Sequence, residues 1–152
     1  MNIATARLLG LTQAPAKPAP AATTTAPTPA GPAAPVSPSA PSAVAAALSQ
    51  LGVPYQAFAM TPGVAFDCSG LTAWAWARAG VSLPHQSGLQ SAALPHVAIS
   101  AAQPGDLLFY HSPISHVALY IGGGRQVHAP ATGKTVEVVS VNWGRVVGVA
   151  RP

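Results

Sequence analysis

The apolar and polar positions of this chain first follow no period, then a helical one, then an alternation. Residues 12–41, whose body reads "APAKPAPAATTTAPTPAGPAAPVSPSAP", show no period. "SAVAAALSQLG" then places Val44, Ala47, Leu48 and Leu51 on one helical face, with Ser42 as N-cap and Gly52 as the stop. "VPYQAFAMTPGVAF" reads as a loop broken by Pro54, Pro62 and Gly63. A second helix is predicted from Cys68 to about Ala79, closed by Gly80. "LPHQSGLQSAALPHVAIS" looks irregular, with a short helix around Ser87–Ala92. From Gly105 onward the rhythm becomes that of strands, in the runs "DLLFYH", "HVALYIG", "RQVHAP", "VEVVSV" and "VVGVAR". Helices first and a strand meander afterwards imply an α+β domain over residues 42–152, its N-terminal helices packed on a central antiparallel β-sheet.

Composition changes this picture at one end. Residues 1–41 are rich in Ala, Pro and Thr and cannot bury enough apolar surface to offset the entropy of ordering them. They read as a disordered segment or a semi-stiff polyproline linker, either a tether or a tail without a specific role. The start, "MNIATARLLGLTQAPA", has a short apolar patch interrupted by Arg7 and no basic region before it, and so reads poorly as a secretory signal. No run approaches the 18 or so apolar residues of a membrane span. Only 7% of the 152 residues are charged, and the formal charge of +4 is scattered, with no cluster of Lys and Arg. Nucleic acid is therefore not an expected partner.

The single cysteine excludes an internal disulfide and raises a question of chemistry. Cys68 stands between Asp67 and Ser69 where a loop turns into a helix. A lone thiol there is either core filler or a nucleophile. A helix start, with its unpaired N–H groups and positive dipole end, favours thiolate and can lower a cysteine pKa by about one unit or more. A nucleophilic cysteine needs a base, and "SHVALYIGGGRQVHAP" offers two. Along the strand His116, Ala118 and Tyr120 share one face, while Val117, Leu119 and Ile121 take the core face. With Gly122–Gly124 as a three-residue loop, Ile121 pairs with Arg125 and Ala118 with His128. His116 and His128 then become diagonal neighbours about 7–8 Å apart in the backbone. A two-residue loop shifts the register by one and separates them. The bland alternative is a pair of surface histidines. His96 and His111 read as solvent-facing loop residues. Cys68, His116 and His128 could also ligate a catalytic zinc, but no closely spaced ligand pair accompanies them, and no metal is expected.

"FDCSGL", "LPHQSGLQ", "QPGDLLFY", "HVALYIGGG" and "VHAP", in this order, resemble the NlpC/P60 family of cell-wall peptidases over residues 42–152. The resemblance implies a papain-like fold and a Cys-His-His triad, with Cys68 as nucleophile, His116 as base and His128 as the orienting residue. It implies that Tyr55 approaches the active site and that the Cys68 N–H forms part of an oxyanion hole. Asp67, Ser69, His85 and Ser87 would border the substrate. The implied reaction is hydrolysis of peptidoglycan stem peptides between γ-D-glutamate and a diamino acid, through an acyl-enzyme. The implied enzyme is a secreted or wall-associated monomer without a cofactor. Two positions depart from the family pattern: "QAFAM" follows Tyr55 where many members have Trp-Gly-Gly, and His85 stands where many carry Arg. The competing readings are a wall-binding module that has lost catalysis and a thiol amidase of the CHAP kind.

Overall fold

The computed structural model describes residues 37–152. The segment expected over 1–41 therefore falls outside the described residues except for its last few. Helix α1 (Ala40–Leu48) starts two residues ahead of the expected cap. Ser39 takes the cap position, and Pro41 sits in the first turn, where its fixed φ suits a helix and its missing N–H breaks no helical bond. Ser42 is thus inside the helix. Ala40, Ala43 and Ala47 form its buried side, and side chains this small let it lie closely on α2 (Cys68–Arg78). Helix α2 contributes Leu71, Ala75 and Trp76 to the core. Trp76 is fully buried, and its indole N–H donates to the Gly105 carbonyl at 3.2 Å.

Between the two helices the segment read as a loop forms a small hairpin, β1 (Met60–Thr61) against β2 (Ala65–Phe66). A short α3 (Ser87–Ala93) and β3 (His96–Val97) follow. His96 is therefore a strand residue, though exposed. Strands β4 (Leu107–Tyr110), β5 (His116–Gly122), β6 (Arg125–His128) and β7 (Glu137–Ser140) form an antiparallel meander. The last strand, β8 (Val146–Ala150), does not continue it. It crosses back to pair with β4, and β3 pairs with β8 at the edge, giving the order β3-β8-β4-β5-β6-β7.

Side chains explain that return. All four residues of β4 are buried. Leu107 and Phe109 join Val117, Leu119 and Val127 under the helices. Leu108 and Tyr110 join Ala118, Tyr120, Val146 and Val149 in a smaller cluster on the other face. A strand apolar on both faces needs a neighbour on each side. The face of β5 that alternation assigns away from the core is consequently covered too, with Ala118 at 0% and Tyr120 at 9% exposure. The core is closed by a buried ion pair: Arg151 donates from Nε and Nη2 to the two oxygens of Asp106, each at 2.8 Å.

Candidate active site

Cys68 is the first residue of α2, and Asp67 caps the helix. Asp67 is buried, so its carboxylate has to be satisfied from within. Oδ1 accepts the Gly70 N–H at 2.6 Å and faces His85 Nε2 at 2.8 Å; Oδ2 accepts the Phe58 N–H at 2.9 Å. One acidic side chain thus ties together the helix start, the 56–59 loop and the 81–86 loop. The glycine of "DCSG" is required by this knot: a Cβ on Gly70 would overlap the Ala59 carbonyl and crowd Asp67 and His85. Asp67 and Ser69, expected beside the substrate, do border the cleft. Their polar atoms, however, are engaged in its wall, with the Ser69 carbonyl accepting from Gln90 Nε2 at 3.0 Å.

The thiol of Cys68 is half-buried. Backbone N–H groups of Val117, Ser69 and Cys68 itself favour the thiolate, as expected at a helix start. Burial is the larger effect and pushes the thiol up, with the Asp67 carboxylate adding to it. The expectation of a lowered thiol pKa is corrected on this point, because burial outweighs the helix terminus.

Val117 belongs to β5, whose first residue is His116. His116 Nε2 lies 2.9 Å from His128 Nδ1, and the ring centroids are 5.1 Å apart. The register that brings them together is Leu119 opposite Val127 and Tyr120 opposite Gln126. The turn differs from the expected one. Gly122, not Ile121, pairs with Arg125, so Gly123-Gly124 is a two-residue loop and Ile121 is the extra residue of a bulge. That extra residue restores the offset a two-residue loop would have removed. Positive φ at all three glycines makes the arrangement possible. Burial, helped by His128 and His111, pushes the His116 imidazole down to about 4; burial likewise lowers His128. At neutral pH the His116 imidazole is uncharged, and its Nδ1 is the nitrogen not engaged by His128.

A cleft of about 340 Å³ borders Cys68, lined among others by Tyr55, Phe58, His85, Ser87, Ile114 and Ser115. Burial raises the Tyr55 phenol, with the charges of Cys68 and Asp67 adding to the effect. Tyr55 is held by its N–H bond to the Lys134 carbonyl at 2.9 Å. Ser87 is buried at the start of α3. His111 is exposed, its Nδ1 2.6 Å from Ser115 Oγ. A larger cavity of about 660 Å³, around Tyr120 and Trp143, contains none of the candidate site residues. Size does not locate this site. Sequence reasoning missed Gln90, fully buried, which accepts from Thr72 Oγ1 and donates to the Ser69 and Pro84 carbonyls. It fixes the His85 loop to α2, and its only signal was its place in "LPHQSGLQ".

A cysteine on the first turn of a helix, set against an antiparallel sheet that carries paired histidines, defines a papain-like α+β domain. The sequence profile of the NlpC/P60 family matches residues 52–147, and the chain belongs to the NlpC/P60 family. It is 45% identical over 97 residues to a probable endopeptidase of Mycobacterium tuberculosis, an alignment covering 64% of this chain and 25% of that protein. The chain thus spans about a quarter of the length of that curated relative. Among solved structures, an NlpC/P60 family protein from Bacillus cereus superimposes with a TM-score of 0.70 at 32% identity, covering 77% of this chain and 41% of that one. The peptidoglycan hydrolase RipB of Mycobacterium tuberculosis gives a TM-score of 0.66 at 35% identity, covering 74% and 64%.

Proposed function

We propose that this domain is a cysteine endopeptidase that cleaves peptidoglycan stem peptides at the γ-D-glutamyl–diamino acid bond. The observation that carries the reading is that one strand, β5, meets the Cys68 thiol through the Val117 amide and begins with His116, whose Nε2 lies 2.9 Å from His128 Nδ1. In the reaction His116 Nδ1 takes the thiol proton as Sγ attacks the scissile carbonyl. The oxyanion forms near the Cys68 N–H. The C–N bond breaks as His116 returns the proton to the departing amine, leaving a thioester on Cys68. Water, deprotonated by the same nitrogen, then releases the acid and restores the thiol. His128 orients His116, while Tyr55, His85 and Ser87 border the substrate. No helix of the described residues is long and apolar enough to cross a membrane, and a substrate in the wall places the enzyme outside the cell or in the wall itself.

The test is digestion of purified peptidoglycan with identification of the fragments by mass spectrometry. New amino termini on the diamino acid, absent with Cys68→Ala, are the expected result. Binding to the wall without fragments would leave a binding module, and cleavage at the sugar–peptide amide would leave an amidase. Casein should survive: a site shaped for a γ-linked D-residue misplaces an α-linked carbonyl, and a misplacement of about 1 Å costs on the order of 100-fold in rate.

A further inference from the structure

Two neutral imidazoles that share one hydrogen bond have two arrangements. In the first, His116 Nε2–H donates to His128 Nδ1, the ring proton of His128 sits on Nε2, and His116 Nδ1 is bare and able to take a proton. In the second, His128 Nδ1–H donates to His116 Nε2, and the ring proton of His116 moves to Nδ1, where it blocks the base. The separation of 2.9 Å suits either. His128 therefore cannot by itself choose the arrangement that works. The two differ at His128 Nε2, protonated in the first and bare in the second. That atom is buried and, among the described residues, has no hydrogen-bond partner of ordinary geometry. The Glu137 carboxylate faces it, with Oε1 3.4 Å away. Glu137 holds that place because it stands directly opposite His128 in the β6–β7 ladder. A carboxylate oxygen only accepts, so it attracts an Nε2–H and repels a lone pair.

We propose that Glu137 is a positioning residue that sets the tautomer of the histidine pair: it holds the proton of His128 on Nε2 and thereby keeps His116 Nδ1 free as the base. When His116 takes up the thiol proton the pair becomes cationic, and the same carboxylate then faces a positive charge. This inference rests on the proposed role of His116, so its test has one readout that needs no turnover. Glu137 is 43% exposed in its side chain, at a position where replacement leaves the core untouched.

Long-range proton–nitrogen NMR spectra of the free protein, labelled with nitrogen-15 in histidine, report which ring nitrogen carries the proton. Both His116 and His128 are expected to be protonated on Nε2 in the wild type. Glu137→Ala should give a mixture, and Glu137→Lys, which donates to Nε2, should move the His116 proton to Nδ1. Glu137→Gln, whose amide can face Nε2 with either its oxygen or its nitrogen, should fall between wild type and Ala. On a soluble stem tripeptide kcat should fall about tenfold in Glu137→Ala, a change of about 1.4 kcal/mol in the barrier. It should fall further in Glu137→Lys and less in Glu137→Gln, with KM unchanged. Tautomers that stay on Nε2 in both the Ala and Lys variants overturn the proposal, whatever happens to kcat. Tautomers that move while kcat does not would uphold the tautomer assignment and overturn His116 as the base. Should the Lys variant fail to fold, the Ala and Gln variants decide the matter.

Discussion

Gly70 shows how little room the candidate nucleophile's helix leaves. Its Cβ would stand 2.8 Å from Asp67 Oδ1 and 2.9 Å from His85 Nε2 and would overlap a backbone carbonyl that cannot swing aside. Gly70→Ala is expected to lose about 1–3 kcal/mol of stability, the usual range for overpacking. Activity should fall even at temperatures where the variant stays folded, because the Asp67 knot that aims Cys68 is what must give way; thermal melts beside rate measurements check both. At Cys68 itself, burial pushes the thiol up, and burial pushes the His116 imidazole down, so both rest uncharged near neutral pH. Alkylation by iodoacetamide should therefore decline from pH 8 to pH 6 at least as steeply as for an ordinary thiol. A rate undiminished at pH 6 would show a preformed thiolate–imidazolium pair. His116→Ala should reduce turnover about 10²- to 10⁴-fold, the range for loss of a general base. His128→Ala should reduce it less, with partial recovery in His128→Gln. Residue types made Cys68, His116 and His128 conspicuous in the sequence, since a lone cysteine at a helix start and two histidines of one parity carry their own chemistry. The direction of the thiol's shift was not legible, because burial is set by distant residues such as those of β5.

At the scale of elements, the β5–β6 turn makes the sharpest claim. Gly123-Gly124 and the Ile121 bulge together hold Val127 inward and His128 beside His116. Deleting one glycine from Gly122–Gly124 slips β6 by one residue, turns His128 to the other face and brings Gln126 under the helices. Turnover should fall at least as far as in His128→Ala, and the melting temperature should drop as well, a combination that conservative changes elsewhere on β6 would not produce. Alternation and the glycine run made the register legible, though not the bulge that achieves it. Strands β1, β2 and β3, of two residues each, are too short for any period to show. The destination of β8 was hidden because alternation says which face a residue takes and nothing about the neighbour. The signal lay instead in β4, whose continuous "LLFY" marks a strand flanked on both sides.

For the domain as a whole, the buried histidines set a dependence on acidity. A free imidazole takes up its proton near 6.5, whereas His116 does so at about 4 in the fold. Between these values the unfolded chain binds more protons. Stability is therefore complete above about pH 6.5 and drains away as pH falls toward 4, by roughly 3 kcal/mol for this one group. The lowered His128 acts in the same direction. Denaturant titrations at pH 7 and pH 4.5 should show the loss, and His116→Gln, already weakened, should lose less of its remaining stability over the same interval. The return of β8 to the middle of the sheet has a further consequence for the order of synthesis. A nascent chain halted before Val146 already holds Cys68, His116 and His128, yet β4 has no partner on one side and Asp106 no Arg151. Ribosome-bound chains of that length should be cut rapidly by a protease that spares the finished domain. A chain that lacks β8 should accordingly show none of the proposed activity.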